Sequence, residues 1–469
     1  GVKKIHFPKR KLFCKDCNRQ ILFFVFRSRK PPMGKYKDKE QKEENRMSNP
    51  KRAGRVCTAL AVALTAGSLA ACGDGYKPKP LSENTVSLTA ALNADAKAKE
   101  GGVAASFTEK NIGFATEFFK RSFQEANTLV SPLSLAVALS MTANGAGGNT
   151  LSEMEEVLGA PLADINGGLS SYMSYLEGES GKEITLSLAD SIWIKDNVAP
   201  HVNRDFLQTN KDYYDAQIFS APFDQTTIKD INTWTENETE GMIDKLIDEI
   251  SPDTFMYLIN ALYFSGEWAE KYEKKSISDG RFTSLDGSVS TVDMMNSTEG
   301  LYFSDENTTG FLKPYKGGKF AFAAFLPDEG VTISQYVVAM SAAKWKNLFD
   351  KSTPVAVKCT LPAFSYDFEL EASPLLKEMG MPAAFDGEKA DFSGLLPDAY
   401  IGEVIHKTRI EVDAAGTKSA AVTGIGMRCE SAAPEEYVVR LDRPFVYAIV
   451  DTENNYPLFL GAVTRLPAK

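Results

Sequence analysis

The sequence predicts an α+β fold with mixed or antiparallel sheets, and three observations support this prediction. The chain has 469 residues, of which 43% are hydrophobic and 24% are charged, a composition typical of globular proteins. Segments with helical spacing of apolar residues lie mostly early in the patterned part of the chain, and segments rich in aromatic and β-branched residues lie mostly later. The two kinds of segment do not alternate regularly, which argues against a parallel α/β sheet.

Continuous patterning runs from Ser106 to about Pro467, which is long enough for one large domain. Residues 107–123 have apolar side chains at helical spacing. In residues 127–159, Pro132 suits a helix start and a glycine cluster at 145–148 separates two helices. Strands are predicted for five later segments: 187–196, 254–268, 320–330, 354–370 and 456–467.

The N-terminal part of the chain differs in charge from the rest. Residues 1–55 hold 18 Lys and Arg against 5 Asp and Glu, whereas the remainder has a net charge of −23. An acidic body repels phosphates, so we expect no nucleic-acid partner. Residues 1–46 are predicted to be a non-native or disordered extension, because their apolar run at 21–26 is followed by a charged tract that cannot bury a core. Cys14 and Cys17 provide only half of a zinc site, and no metal site is predicted.

Residues 47–72 have the layout of a bacterial lipoprotein signal peptide. A basic stretch precedes an apolar run at 56–71, which is shorter than the roughly twenty residues of a membrane-spanning helix. The run ends in Leu-Ala-Ala-Cys72, which resembles the lipobox, so a lipid-modified Cys72 is favoured over a transmembrane anchor. We expect an exported protein, extracellular or on the bacterial cell surface, that is attached to the membrane only through Cys72. Residues 73–105 are predicted to be a flexible linker.

No motif indicates an enzyme. The sequence lacks a G-x-S-x-G elbow, a Walker loop and an H-E-x-x-H motif, and no nucleophile has a recognisable base. His406 lies in a strand-like segment, where a buried structural imidazole is expected rather than a catalytic base. We expect no cofactor. Cys359 and Cys429, the two cysteines of the body, are too few for a disulfide framework.

Residues 414–431 form an unusually long stretch of small residues. They lie between residues 406–412 and 443–450, both typical of buried strands, and they contain no proline. A permanently buried strand is one interpretation, but Lys418 and three glycines disfavour it. Small side chains share one face of this segment when it is extended: Thr417, Ser419, Ala421 and Thr423.

Several separated segments resemble the serpins, a family of serine protease inhibitors. The segments that carry the resemblance are, in chain order, residues 127–159, 258–268, 404–417 and 442–467. Their order makes the resemblance specific, and from first to last they span nearly all of residues 106–467. The resemblance implies that residues 106–469 form a serpin domain, with mixed sheets, surrounding helices and an exposed, insertable reactive-centre loop.

The resemblance also implies a function. A serpin of the inhibitory kind is a suicide substrate: a serine-type endopeptidase cleaves the exposed loop and forms an acyl-enzyme, and the loop then inserts into the main sheet and traps the ester. The expected partner is therefore a target serine protease in a covalent acyl complex, and the protein is expected to be a monomer. The alternative is a non-inhibitory serpin that serves as a surface binding or structural lipoprotein.

Individual positions match functional positions of the family. The segment that folds back first, the hinge, corresponds to Gly416, Thr417, Ser419, Ala420 and Ala421. The polar cluster that controls opening of the sheet, the shutter, corresponds to Ser131, Ser134, Asn260 and His406. Trp268 corresponds to the aromatic residue of the breach, where insertion begins.

The reactive bond follows from counting. Fourteen residues beyond Gly416 lies Glu430, so the resemblance places the bond at Glu430–Ser431, with Cys429–Glu430 and Arg428–Cys429 as the neighbouring alternatives. The chain departs from the family at an acidic–basic pair near the hinge, whose positions correspond to Ala414 and Ala363. Both partners are missing together, so no charge is left unpaired.

Overall fold

Three β-sheets organise the described part of the chain, and helices pack around them. The computed structural model describes residues 18–28, 76–93, 105–180, 184–239, 241, 243–416 and 437–469. The α-helices of these residues are α1 (Ala105–Ser122), α2 (Pro132–Ala143), α3 (Gly148–Leu158), α4 (Leu162–Glu179), α5 (Arg204–Tyr214), α6 (Gln225–Glu238), α7 (Ile333–Val338), α8 (Ala342–Asp350) and α9 (Ser373–Met379). Short 3-10 helices occur at Thr89–Ala91, Ala199–His201, Lys274–Ser276 and Ala383–Phe385.

The strands are short at the surface and long in the centre of the largest sheet. In chain order they are β1 (Asn18–Ser28), β2 (Val86–Ser87), β3 (Thr128–Val130), β4 (Ile184–Lys195), β5 (Gln217–Ala221), β6 (Thr254–Gly266), β7 (Ile277–Thr283), β8 (Val289–Glu299), β9 (Tyr302–Ser304), β10 (Thr308–Pro314), β11 (Phe320–Pro327), β12 (Val357–Pro362), β13 (Phe364–Glu371), β14 (Ala399–Val412), β15 (Tyr437–Arg440), β16 (Phe445–Asp451) and β17 (Tyr456–Val463).

The sheets are mixed, which confirms the predicted α+β class. The largest sheet has seven strands in the order β13-β14-β1-β6-β4-β5-β2, the second has six in the order β3-β17-β16-β11-β10-β9, and the third has four in the order β15-β12-β8-β7. The pairs β4–β5 and β12–β15 are parallel, whereas their neighbours pair antiparallel.

Local sequence explains the helices that flank the largest sheet. Helix α2 begins after Ser131, whose side chain accepts a hydrogen bond from the backbone N–H of Ser134 at 3.3 Å, and Pro132 occupies the first helical position. All residues of α2 are buried, so the helix has no solvent-exposed face. Helix α3 ends at Gly159, whose φ of 80° is the left-handed conformation that glycine adopts at little cost. Helix α2 packs against β6 and holds the shutter residue Ser134 on the sheet.

Part of the predicted linker is bound to the body. Strand β2 pairs with β5, and Asp230 of α6 accepts hydrogen bonds from the backbone N–H of Ser82 at 3.0 Å and from the hydroxyl of Thr85 at 2.6 Å. The hydroxyl of Tyr76 donates to Asn237 at 2.9 Å. The expectation of a flexible linker therefore needs correction for residues 76–93, because polar side chains of α6 fix them. Residues 94–104 lie outside the described residues.

A second correction concerns the N-terminal extension. Asn18–Ser28 is not separate from the fold but forms β1, which pairs antiparallel with both β14 and β6 in the middle of the largest sheet. The physical reason is the apolar run itself, which is bulky, rich in β-forming residues and buried on both faces of the sheet. The rest of the predicted extension and the predicted signal peptide lie outside the described residues.

Candidate functional site

The end of β14 is tied to the segment that follows β6. The backbone N–H of Trp268 donates to the carbonyl oxygen of Ala415 at 3.3 Å, and the N–H of Tyr272 donates to the carbonyl oxygen of Ala414 at 3.0 Å. The indole Nε1 of Trp268 donates to the carbonyl oxygen of Asp413 at 2.9 Å. These bonds fix where the chain leaves the largest sheet, immediately before the predicted hinge.

Gly416 lies at this exit in a conformation that requires glycine. Its φ is +104°, and a Cβ atom at this position would stand 2.3 Å from the backbone nitrogen of Trp268. Side chains at such a φ are strained, and the neighbouring atom belongs to the backbone and cannot rotate away. The sequence predicted a glycine hinge because glycine is conformationally free. The structure adds a second reason for glycine at 416, because a side chain there would clash with the backbone of Trp268.

Trp268 anchors this end of the sheet. Its ring is fully buried and stacks on Tyr315, with centroids 4.6 Å apart and an angle of 9° between the planes. Phe322 meets it edge-on, with centroids 6.0 Å apart. The position predicted for the breach aromatic is therefore a rigid platform beneath the point where the chain leaves β14.

A buried ion pair lies beside Trp268, and the sequence analysis did not find it. The Nζ atom of Lys313 is 2.8 Å from Oε1 of Glu299, and both side chains are almost completely buried. The ammonium group also donates to the carbonyl oxygen of Glu270 at 3.1 Å and lies 4.4 Å from the ring centre of Tyr272. The two partners are fourteen residues apart on strands β8 and β10, so no local pattern indicates the pair.

The predicted shutter residues on the β6 side form a chain of hydrogen bonds. The hydroxyl of Ser134 donates to Oδ1 of Asn260, and Nδ2 of Asn260 donates to Oδ1 of Asp190 at 2.9 Å. Asp190 lies on β4 directly beside Asn260 and was missed by sequence reasoning. Burial raises the pKa of its carboxyl group to about 7, and the hydrogen bond from Asn260 only partly offsets this shift. Its Oδ2 atom has no hydrogen-bond partner among the described residues.

The fourth shutter residue, His406, lies on the other side, on β14. Its Nε2 atom accepts a hydrogen bond from the backbone N–H of Ser131 at 3.3 Å, and its ring meets Phe118 edge-on at 5.8 Å. Burial lowers the pKa of the imidazole to about 3, so the ring is neutral at physiological pH and serves as an acceptor. This geometry fits the expected structural imidazole.

Strand β1 separates the two halves of the shutter. Leu22 stands opposite His406 of β14 on one side and opposite Asn260 of β6 on the other. Neighbouring strands are about 4.8 Å apart, so Asn260 and His406 lie roughly 10 Å from each other across β1. The structure thus brings Ser134, Asn260 and Asp190 together, and the start of α2 links them to His406.

The comparisons with known proteins settle the family. The family model described as serpin (serine protease inhibitor) matches residues 109–466. The chain belongs to the serpin family.

Similarity extends over most of the lengths compared. Intracellular coagulation inhibitor 2 of Tachypleus tridentatus is 30% identical over 374 residues, which is 75% of this chain and 89% of that protein. Human Serpin B8 is 30% identical over 376 residues, 75% of this chain and 97% of that protein. Among solved structures, the thermophilic serpin tengpin in its native state is similar with a TM-score of 0.75 and 39% identity, over 82% of this chain and all of that one.

Serpin membership confirms the predicted family and fold, and it supports a protease-inhibitor function in general. It also fits the expectation that the protein is not an enzyme. Several predicted site residues lie outside the described part of the chain: Thr417, Ser419, Ala420, Ala421, Cys429, Glu430, Ser431 and Cys72. Their roles stay predictions.

The remaining expectations concern metals, thiols and membranes. Within the described ranges no cluster of three or more His, Cys, Asp or Glu could hold a metal ion. Cys359 is a buried free thiol, and burial raises its pKa far above the usual range, which disfavours the nucleophilic thiolate form. The helices of the described segments include none that is long and apolar enough to cross a membrane.

Proposed function

We propose that the protein inhibits a serine protease as a suicide substrate, by inserting the segment that follows Gly416 between β6 and β14. In this proposal the protease cuts Glu430–Ser431 and becomes esterified through its serine to the carbonyl carbon of Glu430. Insertion then carries the protease to the far end of the sheet before water hydrolyses the ester.

One observation carries this proposal: the sheet has room for a complete strand between β6 and β14. The strand in that position, β1, is antiparallel to both neighbours. A segment that leaves the end of β14 and folds back beside it must also run antiparallel to β14. The position therefore has the direction that an inserted loop needs.

Two further features support the proposal. Strand β14 has 14 residues, and the segment from Thr417 to Glu430 also has 14, so an inserted segment would match its neighbour in length. The bonds around Ala414, Ala415 and Trp268 place the hinge at the correct end of the sheet to begin insertion. A monomeric inhibitor with a single target protease is sufficient for this mechanism.

The test uses the exported protein and a panel of serine proteases that includes one with a preference for glutamate. We expect a complex that survives SDS with one of them, and a released C-terminal peptide that begins at Ser431. A protease whose catalytic serine is blocked should form no such complex. If every active protease in the panel cleaves the loop and none forms a stable complex, the result would instead favour a non-inhibitory surface serpin.

We also infer export and lipid attachment at Cys72, supported by the Leu-Ala-Ala-Cys sequence at residues 69–72. The Cys72→Ser variant should stay unprocessed and should not incorporate labelled fatty acid, whereas Cys57→Ser, a matched change within the apolar run, should be processed normally. A lipid-labelled Cys72→Ser protein would refute the assignment.

A further inference from the structure

Strand β1 occupies the position that the proposed mechanism reserves for the reactive-centre loop. It enters at the Trp268 end of the sheet, where Asn18 stands opposite Phe264, and continues to Arg27 opposite Thr254. An inserted loop would enter at the same end and run in the same direction. Two strands cannot fill one position, so β1 and the loop exclude each other.

The side chains of residues 22–26 of β1 are buried on both faces of the sheet. Leu22, Phe24 and Phe26 are fully buried in the larger core, and Phe23 and Val25 are buried in a smaller core that also contains Trp234 of α6. A strand that only rested against an edge would expose one face and one row of backbone groups. β1 instead completes both backbone ladders and both cores.

The surrounding residues fit β1 at several points. The ring of Phe26 meets Phe392 edge-on at 5.9 Å, and the ring of Phe23 meets Tyr257 edge-on at 6.2 Å. The β1–β14 register shifts after Val25, which leaves Gly402 of β14 without a partner. A Cβ atom on Gly402 would stand 2.8 Å from the side chain of Arg27, so a glycine at this bulge makes room for that side chain.

The two candidate occupants differ in bulk. Residues 21–26 of β1 are Ile-Leu-Phe-Phe-Val-Phe, whereas residues 417–422 of the loop are Thr-Lys-Ser-Ala-Ala-Val. Because the gain from burial scales with the apolar surface removed from water, β1 is the stronger occupant. We therefore expect the loop not to displace an attached β1 before the acyl-enzyme is hydrolysed.

We propose that β1 is an internal plug: while it is attached to the chain, it closes the insertion position and holds the serpin in a non-inhibitory state. This inference rests on the proposed insertion mechanism. The plug is joined to the body by residues 29–75, which could span roughly 150 Å when extended and so impose no strain on either end.

The cleavage proposed above for lipid attachment at Cys72 would also release the plug. A membrane peptidase hydrolyses the Ala71–Cys72 peptide bond, with water adding OH to the carbonyl of Ala71 and H to the nitrogen of Cys72. That one cleavage separates β1 from residues 73–469. The binding of β1 then becomes intermolecular, so β1 can dissociate and leave the position open to the loop of the exported protein. In the precursor the tether keeps the position closed until export.

The experiment compares three forms of the full chain: the unmodified protein, a release variant, and a control. The release variant Leu22→Asp with Phe24→Asp places two carboxylates in the larger core, where they would lose their hydration. This cost should expel β1 from the sheet. The control Phe7→Asp with Phe13→Asp also replaces two apolar residues by aspartates, but at positions outside β1. The probe is a dye-labelled synthetic peptide with the sequence of residues 18–28, and its binding is followed by fluorescence anisotropy without any protease.

We expect the release variant to bind the peptide at least tenfold more tightly than the unmodified chain and the control. In a second arm with the target protease, the release variant should form the SDS-stable complex, and the other two forms should be cut as substrates. Equal peptide binding by all three forms, or formation of the SDS-stable complex to the same extent by all three, would overturn the plug. Selective peptide binding with no complex from any form would support the plug and refute the inhibitory function.

Hydrogen exchange on the unmodified chain gives a measurement that needs no variant. The backbone amides of residues 22–26 should exchange as slowly as those of residues 258–262 on β6, since both sets are paired within the same sheet. Exchange of residues 22–26 within seconds would overturn the plug even if the release variant failed to fold.

Discussion

The two walls of the insertion position are β6, backed by β4, on one side and β14 on the other. Each wall buries an ionisable side chain at the same level of the sheet, Asp190 on β4 and His406 on β14. On the β6 side, burial raises the pKa of Asp190 to about 7, and on the β14 side burial lowers the pKa of His406 to about 3. The cause is the same, loss of hydration by the charged form, but the sign differs because one group is an acid and the other a base. Both groups are therefore uncharged between about pH 3 and 7.

The comparison shows how buried polar side chains can be kept beside the insertion position without a buried charge. Each wall keeps hydrogen bonds through neutral groups, Asn260 with Asp190 on one side and His406 with Ser131 on the other. Because these pairs are neutral, neither offers a counter-charge to an ionised side chain of an incoming strand, and a charge buried there would stay unpaired. The comparison predicts that a fixed charge is not tolerated on the face of the incoming strand that carries Thr417.

The largest expected effect comes from adding such a charge. Thr417→Arg in the exported protein asks a guanidinium group to enter the apolar interior without a partner, which costs several kcal/mol. If about 3 kcal/mol of this falls on the insertion barrier, insertion slows roughly a hundredfold. Hydrolysis of the acyl-enzyme depends on the protease and does not change. The variant should be cut at the same bond but release active protease, as measured by the stoichiometry of inhibition.

Lys418→Arg is the matched control, because residue 418 faces the opposite side of the extended segment and already carries a charge. This variant should inhibit like the unmodified protein. A one-to-one stable complex formed by Thr417→Arg would refute loop insertion as the basis of inhibition.

The second prediction concerns the acidic wall. Asp190 has a pKa of about 7 in the folded protein and about 3.9 when unfolded, so the folded state holds the proton more tightly. Its contribution to stability is complete below about pH 4 and is lost as pH rises to 7, by an amount on the order of 4 kcal/mol. Asp190→Asn should remove this loss, so the variant should gain stability relative to the unmodified protein as pH rises. Urea midpoints from pH 4.5 to 7.5 measure the difference.

The third prediction concerns the basic wall and has the opposite sign. His406 has a depressed pKa of about 3 in the folded protein, against about 6.5 when unfolded, so the unfolded state binds the proton more tightly. Its neutral form is fully compatible with folding above pH 6.5, and stability is lost as pH falls toward 3. His406→Gln keeps a hydrogen-bond acceptor but cannot be protonated. This variant should lose less stability in acid than the unmodified protein.

The two pH predictions check each other. In the unmodified protein the opposite trends partly cancel between pH 4 and 6.5, and each variant should reveal the trend of the remaining wall. Glu306→Gln, a change at an exposed carboxylate, should leave the pH profile parallel to that of the unmodified protein. Variants at 190 and 406 whose profiles deviate in the same direction would contradict the assigned pKa shifts.

The sequence predicted the parts of the fold that repeat a local pattern. The helical spacing of residues 107–123 corresponds to α1, and the apolar residues 254–268 correspond to β6. Residues 354–370 were predicted as one strand, but the structure divides them at Ala363 into β12 and β13, which belong to different sheets. Only Pro362 marks that division in the sequence, and a proline at the end of a strand is a weak signal.

The missed features depend on contacts between distant segments. Asp190 lies within an apolar strand, where a carboxylate suggests a solvent-facing position until its partner Asn260 is known. Lys313 and Glu299 pair across two strands and carry no local signature. The apolar run of β1 is flanked by charged residues, and its place in the sheet depends on an opening between β6 and β14 that only the three-dimensional arrangement defines.

The smallest expected effect comes from rebuilding the family's missing ion pair at the hinge end. Ala414→Glu with Ala363→Lys should change the free energy of unfolding by less than about 1 kcal/mol, because both positions are only partly buried and a partly solvated pair gains little. The carbonyl oxygen of Ala414 and the backbone N–H of Ala363 already have partners, Tyr272 and Asp293, and neither bond involves a side chain at 414 or 363. The double variant should therefore inhibit at a rate within about threefold of the unmodified protein. The single variant Ala414→Glu is the control and should inhibit less well, since its carboxylate has no new lysine partner. A double variant as defective as Thr417→Arg would mean that the hinge end does not tolerate even a charged pair. Charges would then be excluded from the entrance of the insertion position as well as from its interior.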